Sequence, residues 1–384
     1  MFSSKQDGLA QLPFSRSDRS VRLRRLHPVC TNASSRVVWP VAKIRVSGRR
    51  RQNIQVAPEH LISVKRFGAA LPILDAMPQE IDLPLHTLVR MTRPGFLIIT
   101  VVGCVLGIAS AAACGHPPNG WTALSTVVLA AMAHAVGNVL NDVHDALNGA
   151  DVANTQGIFP FTGGTRLIQQ GRVSVQQTRD LAYALLLVLI PAGSLLAVVT
   201  SPAVLWIGTL GMLLAWAYSA PPLKLMSRSL GELVVAAVWS LVVIGADTVQ
   251  RGSVFIVPVW TSLSYGLLIA NVLLINGVPD ATADAAAGKA TLAVRAGARG
   301  AAMIYGLLAT LAHSWLAWGV WHFLQPERAI WGLLSAPFSA VAWLILWRRA
   351  DTPAQLRSAL VLTIMAACMH GLGMAGGLLS MHWI

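Results

Sequence analysis

Nine runs of mostly apolar residues divide this chain, each close to the ~20 residues that a bilayer-crossing helix requires. They fall at about 95–114, 121–140, 180–200, 203–219, 230–248, 254–276, 300–321, 329–347 and 358–379. The third and fourth are parted only by Ser201-Pro202, a tight turn that makes a helical hairpin of one long run. Only 12% of the residues are charged and 55% are hydrophobic, whereas soluble domains carry about 25% charged residues. Backbone groups inside a bilayer must be satisfied within the segment, so apolar runs of this length are helices. The expected fold is all-α, a multi-pass membrane bundle of about nine transmembrane helices.

The net charge of +13 is not spread evenly. Residues 1–66 hold fourteen Lys and Arg against Asp7, Asp18 and Glu59, and the remainder is close to neutral. A nucleic-acid partner is therefore not expected. The basic extension, 1–76, is Arg- and Ser-rich, acid-poor and without a long apolar run. It reads as an organellar transit peptide, as a disordered basic arm on anionic lipid, or as sequence upstream of a start at Met77. The last two together outweigh the first. The membrane domain is expected to occupy 77–384.

Loop charge orients the bundle, because Lys and Arg collect on the cytoplasmic side. With the N-terminus inside, Arg166, Arg172, Arg179, Lys224, Arg228, Lys289, Arg295, Arg299, Arg348, Arg349 and Arg357 lie in inner loops. The outer loops keep Arg251 and Arg328. This places the N-terminus on the cytoplasmic face, and a bacterial inner membrane is the expected location.

Two acidic clusters follow apolar runs on that inner face. The first is Asn141-Asp142-Val143-His144-Asp145, continuing to Gly149 and Asp151; the second is Asn276, Asp280 and Asp284, then Gly288-Lys289. Asn138-Val139-Leu140 precedes one and Asn271-Val272-Leu273 the other, each an Asn in a late helical turn before an acidic loop. Mg²⁺ prefers one or two carboxylates completed by water and phosphate oxygens. If helical, Asp142 with Asp145 and Asp280 with Asp284 each share a face, and together they could clamp a diphosphate through bound Mg²⁺. Asn and Asp also cap helices, but two clusters on one face favour a joint site. Asp142, Asp145, Asp280 and Asp284 are the expected catalytic metal ligands. Asn138, Asn141, Asp151, Arg166, Tyr218, Lys224, Arg228, Asn276 and Lys289 are the expected substrate-binding residues.

Other polar residues interrupt the apolar runs. Asn271 joins Asn138 as an expected site member, Glu232 is a further candidate, and Asp247 and His370 have no role on sequence grounds. Trp216 and Tyr218 end a run beside the acids, where an aromatic face could stabilise an allylic cation. The four cysteines show no metal-ligand spacing.

From about 86 to 380 these features resemble the UbiA superfamily of membrane prenyltransferases. The first motif of that superfamily is commonly NDxxDxxxD; here it reads Asn141-Asp142-x-x-Asp145-x-x-x-Gly149-x-Asp151, similar to the 1,4-dihydroxy-2-naphthoate polyprenyltransferases. Tyr218-Ser219-x-Pro221-Pro222-Leu223-Lys224, Gly231-Glu232-Leu233 and Asp280-x-x-x-Asp284-x-x-x-Gly288-Lys289-x-Thr291-Leu292-Ala293 extend the resemblance. It implies nine helices around a central cavity and Mg²⁺-dependent transfer from a polyprenyl diphosphate to an aromatic acceptor, dihydroxynaphthoate in menaquinone synthesis. That branch usually carries Arg where this chain has Pro279, which leaves 4-hydroxybenzoate, homogentisate or a non-quinone acceptor open. A cation-coupled transporter would place its ionisable residues near the midplane, not at the helix ends.

Overall fold

The computed structural model describes residues 83–382. The readings of 1–76 therefore lie outside the described residues. Among the described residues every regular element is helical: α1 (Leu85–Met91), α2 (Pro94–Ala113), α3 (Gly120–Asn148), α4 (Ala150–Ala153), α5 (Val175–Val199), α6 (Pro202–Ser219), α7 (Gly231–Arg251), α8 (Ile256–Ala286), α9 (Leu292–Trp321), α10 (Ala336–Arg349) and α11 (Arg357–His382). Nine helical segments among the described residues are long and apolar enough to cross a membrane, one of them joining the 3₁₀ stretch Glu327–Ser335 to α10.

Local sequence explains the helix starts. Asn119 caps α3 by accepting from the N–H groups of Trp121 and Thr122, Ser174 and Gln177 form a reciprocal capping box on α5, and Pro202 opens α6 behind Ser201. The ends depart from the apolar runs. α3 continues to Asn148 and α8 to Ala286, so the acids expected in loops are carried on helix. No breaker precedes Gly149, which is left-handed at φ 82° and ends α3. α9 begins before the expected 300 but breaks at Gly297, at φ 68°.

α8 is the axis of the packing. Its first half joins α2, α7 and α11 around Tyr265, Leu268 and Ile269, and its second half joins α9, α10 and α11 around Leu274 and Ile275. Small residues let these helices approach closely. A Cβ on Gly107 of α2 would lie 2.2 Å from the Val243 carbonyl oxygen of α7 and 2.8 Å from the Ala246 Cβ.

On the other side, α3 packs on α2 and α7, α6 on α7, and α5 on α3 and α6. Between the two groups runs a cavity of about 720 Å³. One face of α3 lines it from Thr126 through Ala133 and Gly137 to Asn141 and Asp145, opposite Trp239 and Val242 of α7 and Asn276 and Asp280 of α8. Near the other end of α7, buried Asp247 accepts from Arg251 Nε at 2.8 Å and Nη2 at 2.7 Å. This pair is structural, and Asp247 stays outside the cavity wall.

Gly107→Ala should destabilise the protein by about 1–3 kcal/mol, as overpacking against rigid backbone does. Gly208→Ala on α6, where a Cβ would meet nothing within 4 Å, should be neutral or slightly stabilising. Thermal melts in detergent compare the two; equal melting temperatures would contradict the close α2–α7 approach.

Candidate active site

Both acidic clusters meet at one end of the cavity. Lys289, 5% exposed, lies between them: Nζ donates to Asp145 Oδ1 at 2.6 Å and is 3.3 Å from Asp284 Oδ1. The turn after α8 places it there, with the Lys289 N–H bonded to the Asp284 carbonyl at 2.8 Å and the Ala290 N–H to the Ser227 carbonyl at 3.1 Å. Burial opposes the charge on Lys289, but the Asp145 and Asp284 carboxylates outweigh it and raise its pKa above the usual lysine value.

The remaining acids are held by partners absent from the sequence motifs. Asp142 accepts from the Arg93 guanidinium, and its other oxygen accepts from the Thr165 hydroxyl at 2.6 Å. Asp280 accepts from Asn154 Nδ2 at 2.7 Å and the Gly163 N–H at 3.0 Å. Asp151 accepts from Gln169 Nε2 at 3.1 Å. Arg93 directly precedes Pro94 and α2, at φ 54°; a cation at the mouth of the first apolar run was the available signal. Asn154 had none, because its partner is more than a hundred residues away, and Gly163 belongs to the stretch Phe161-Thr162-Gly163-Gly164-Thr165-Arg166, in which the sequence pointed to Arg166 instead.

Asn138, Asn141, Asp145, Asp151, Tyr218, Asn276, Asp280, Asp284 and Lys289 all line the cavity, as does Glu232. Asn141 donates to Asp145 at 3.0 Å and accepts from the Ser219 hydroxyl at 2.8 Å, and Asn138 donates to the Thr92 carbonyl at 3.0 Å. His134, one turn below Asn138, is 2.8 Å from the Thr100 hydroxyl and edge-on to Trp239.

Other expected residues sit elsewhere. Lys224 and Arg228 are exposed and outside the cavity wall, with Arg228 donating to the Pro222 carbonyl at 3.0 Å. Arg166 donates to the backbone carbonyls of Asp151 and Asn154 at 2.5 and 2.9 Å. Asn271 is fully buried and donates to the Tyr305 carbonyl at 3.1 Å, away from the cavity. Trp216 is 47% exposed and outside the wall, whereas Tyr218 lines it, as does Phe161. Pro279 is buried within α8, outside the wall.

Among the described residues, no three or more His, Cys, Asp or Glu side chains converge on a ready metal cage. The donors nonetheless suit a hard cation that shares its coordination with phosphate. They are oxygens, a positive group already sits between Asp145 and Asp284, and buried Asn276 Oδ1 on the cavity wall has no partner.

Residues 97–375 match the UbiA prenyltransferase family. The chain belongs to this family. It is a prenyltransferase and an integral membrane protein. The 1,4-dihydroxy-2-naphthoate octaprenyltransferase of Mycobacterium tuberculosis is 30% identical over 253 residues, 64% of this chain and 81% of that protein. The digeranylgeranylglyceryl phosphate synthase of Hyperthermus butylicus is 28% identical over 252 residues, 62% of this chain and 77% of that protein. In fold the prenyltransferase resembles a UbiA homolog from Archaeoglobus fulgidus bound to DMAPP and Mg²⁺. The TM-score is 0.58 at 17% identity, over 76% of this chain and 99% of that one.

Burial, reinforced by the charges of Asp145 and Asp142, pushes the Asp151 carboxyl up to about 7. A carboxyl raised in the fold favours the protonated state, so its contribution to stability is largest below its unfolded pKa of about 3.9 and is lost progressively as pH rises to about 7. Asp151→Asn should remove that loss. Melting temperatures measured in detergent without divalent metal from about pH 4.5 to 7.5 should fall less in the variant than in wild type; parallel profiles would contradict the assignment.

Proposed function

We propose that this prenyltransferase transfers a polyprenyl group from an allylic diphosphate to an aromatic acceptor with Mg²⁺, and that the acceptor is 1,4-dihydroxy-2-naphthoate. The observation that carries the reading is a polar end of carboxylates and Lys289 opening onto an apolar cavity along α3. A diphosphate head on a long hydrocarbon tail has that same division.

Asp145, Asp280, Asp284 and Asn276 would hold Mg²⁺ at the diphosphate. When bound, Mg²⁺ neutralises the negative charge that grows on the leaving group as the carbon–oxygen bond breaks. Lys289 exchanges its carboxylate partners for outer phosphate oxygens. Tyr218 faces the allylic carbon as it becomes positive. The electron-rich ring carbon forms the new carbon–carbon bond, diphosphate leaves with the electron pair, and dihydroxynaphthoate gives up its carboxyl group as CO₂. The apolar walls exclude the water that would otherwise capture the allylic carbon.

The acceptor rests on the resemblance of the first acidic motif and on the mycobacterial relative; the Hyperthermus relative keeps a glyceryl phosphate acceptor as the second reading. The distribution of loop charge supports a cytoplasmic active site in a bacterial inner membrane.

Purified protein incubated with labelled polyprenyl diphosphate, Mg²⁺ and separate acceptors tests this. Prenylated dihydroxynaphthoate is expected, chelation should stop its formation, and Asp145→Ala or Asp284→Ala should lower turnover on the order of a hundredfold or more. Product only with 4-hydroxybenzoate, homogentisate or a glyceryl phosphate would overturn the acceptor. Full turnover without divalent metal would overturn the metal.

A further inference from the structure

Asp142 belongs to the first acidic motif, yet its side chain is 4% exposed and outside the cavity wall. One carboxylate oxygen accepts from Arg93; the other accepts from both the Thr165 hydroxyl, at 2.6 Å, and the Thr165 N–H, at 3.3 Å. Backbone closes the remaining approach. A Cβ on Gly164 would sit 3.1 Å from Asp142 Oδ1 and 3.1 Å from Asp151 Oδ2, crowding both carboxylates, and Gly164 holds a left-handed φ of 72°. A metal at this carboxylate would have to displace a guanidinium, a hydroxyl and a stretch of main chain.

Thr165 lies near the end of the segment 154–166 that follows α4, and the same segment is tied to α8. Asn154 and the Gly163 N–H both donate to Asp280. Within the segment, the Ile158 N–H donates to the Thr162 hydroxyl at 2.7 Å, and Arg166 closes its base on the Asp151 and Asn154 carbonyls. The result is a strap fastened to α3 through Asp142 and to α8 through Asp280. Thr162, Gly163 and Gly164 of the strap form part of the cavity wall beside Asp145 and Asp284.

We infer that Asp142 is a positioning residue and not a metal ligand: paired with Arg93, it holds the strap against the acidic end of the cavity. Asp145, Asp280 and Asp284 remain the cation-facing carboxylates. This inference rests on the metal-and-diphosphate reading above, and Thr165 separates the two because it touches Asp142 without facing the cavity.

The test uses the full-length protein with Asp142→Asn, Thr165→Val, the double variant and Asp145→Asn. Three quantities are measured: hydrogen exchange over 154–166, Mn²⁺ affinity in the presence of inorganic diphosphate, and prenyl-transfer turnover. Asp142→Asn and Thr165→Val should each speed exchange in the strap and lower turnover about tenfold or more, a size typical of groups that orient a site from behind it. The double variant should be no worse than the poorer single, because the two changes break one contact. Both should keep Mn²⁺ affinity, while Asp145→Asn should lose it with strap exchange unchanged.

The inference is overturned if Asp142→Asn loses Mn²⁺ affinity as Asp145→Asn does while Thr165→Val is silent. Unchanged strap exchange in Asp142→Asn overturns it as well, whatever the metal result. Wild-type protein that binds no Mn²⁺ with diphosphate would instead overturn the metal reading, and the exchange data would still decide the role of Asp142.

Discussion

Burying carboxylates at the end of an apolar bundle is costly unless each negative charge meets a positive one or several hydrogen-bond donors. The acidic end is organised around that requirement. Lys289 answers Asp145 and Asp284, Arg93 answers Asp142, and Asn154 with the Gly163 N–H answers Asp280. Each partner comes from a different part of the chain, so satisfying the acids also fastens the start of α2, the segment after α4 and the turn after α8 to one place. In the reaction proposed above, a cation and a diphosphate would take over contacts that the protein makes with itself.

The bundle was largely legible in the sequence because a bilayer imposes a length and polarity that composition records directly. The helix ends were not. Apolar residues mark where hydrocarbon stops, whereas a helix stops where its hydrogen bonding does, and nothing between Leu140 and Gly149 breaks α3. The acids were therefore carried further on helix than the apolar runs implied.

At the site, the meeting of the two clusters followed from loop charge, but the ranking of the cations did not. Lys224, Arg228 and Lys289 look alike in sequence; two are exposed and one is buried between carboxylates. The paired asparagines show the same limit. Asn138 and Asn271 share the Asn-Val-Leu context, yet α8 turns Val272, Asn276 and Asp280 to the cavity and Asn271 toward α9, so Asn138 lines the site and Asn271 braces Tyr305. Only the surroundings of a helix distinguish these cases, and surroundings are set by residues far away in the chain.

The face of α3 that lines the cavity reaches from Thr126 to Asp145, about 29 Å at the rise of an α-helix and close to the ~30 Å of bilayer hydrocarbon. A wall of that length runs through nearly the whole hydrocarbon thickness. A prenyl chain passing from bilayer to cavity leaves one hydrocarbon phase for another, and lipid chains are as apolar as the side chains of the wall, so little hydrophobic driving force remains. Selection among donors by free energy of transfer is correspondingly weak. Recognition is concentrated at the charged end, where Lys289 and the carboxylates of the two motifs meet.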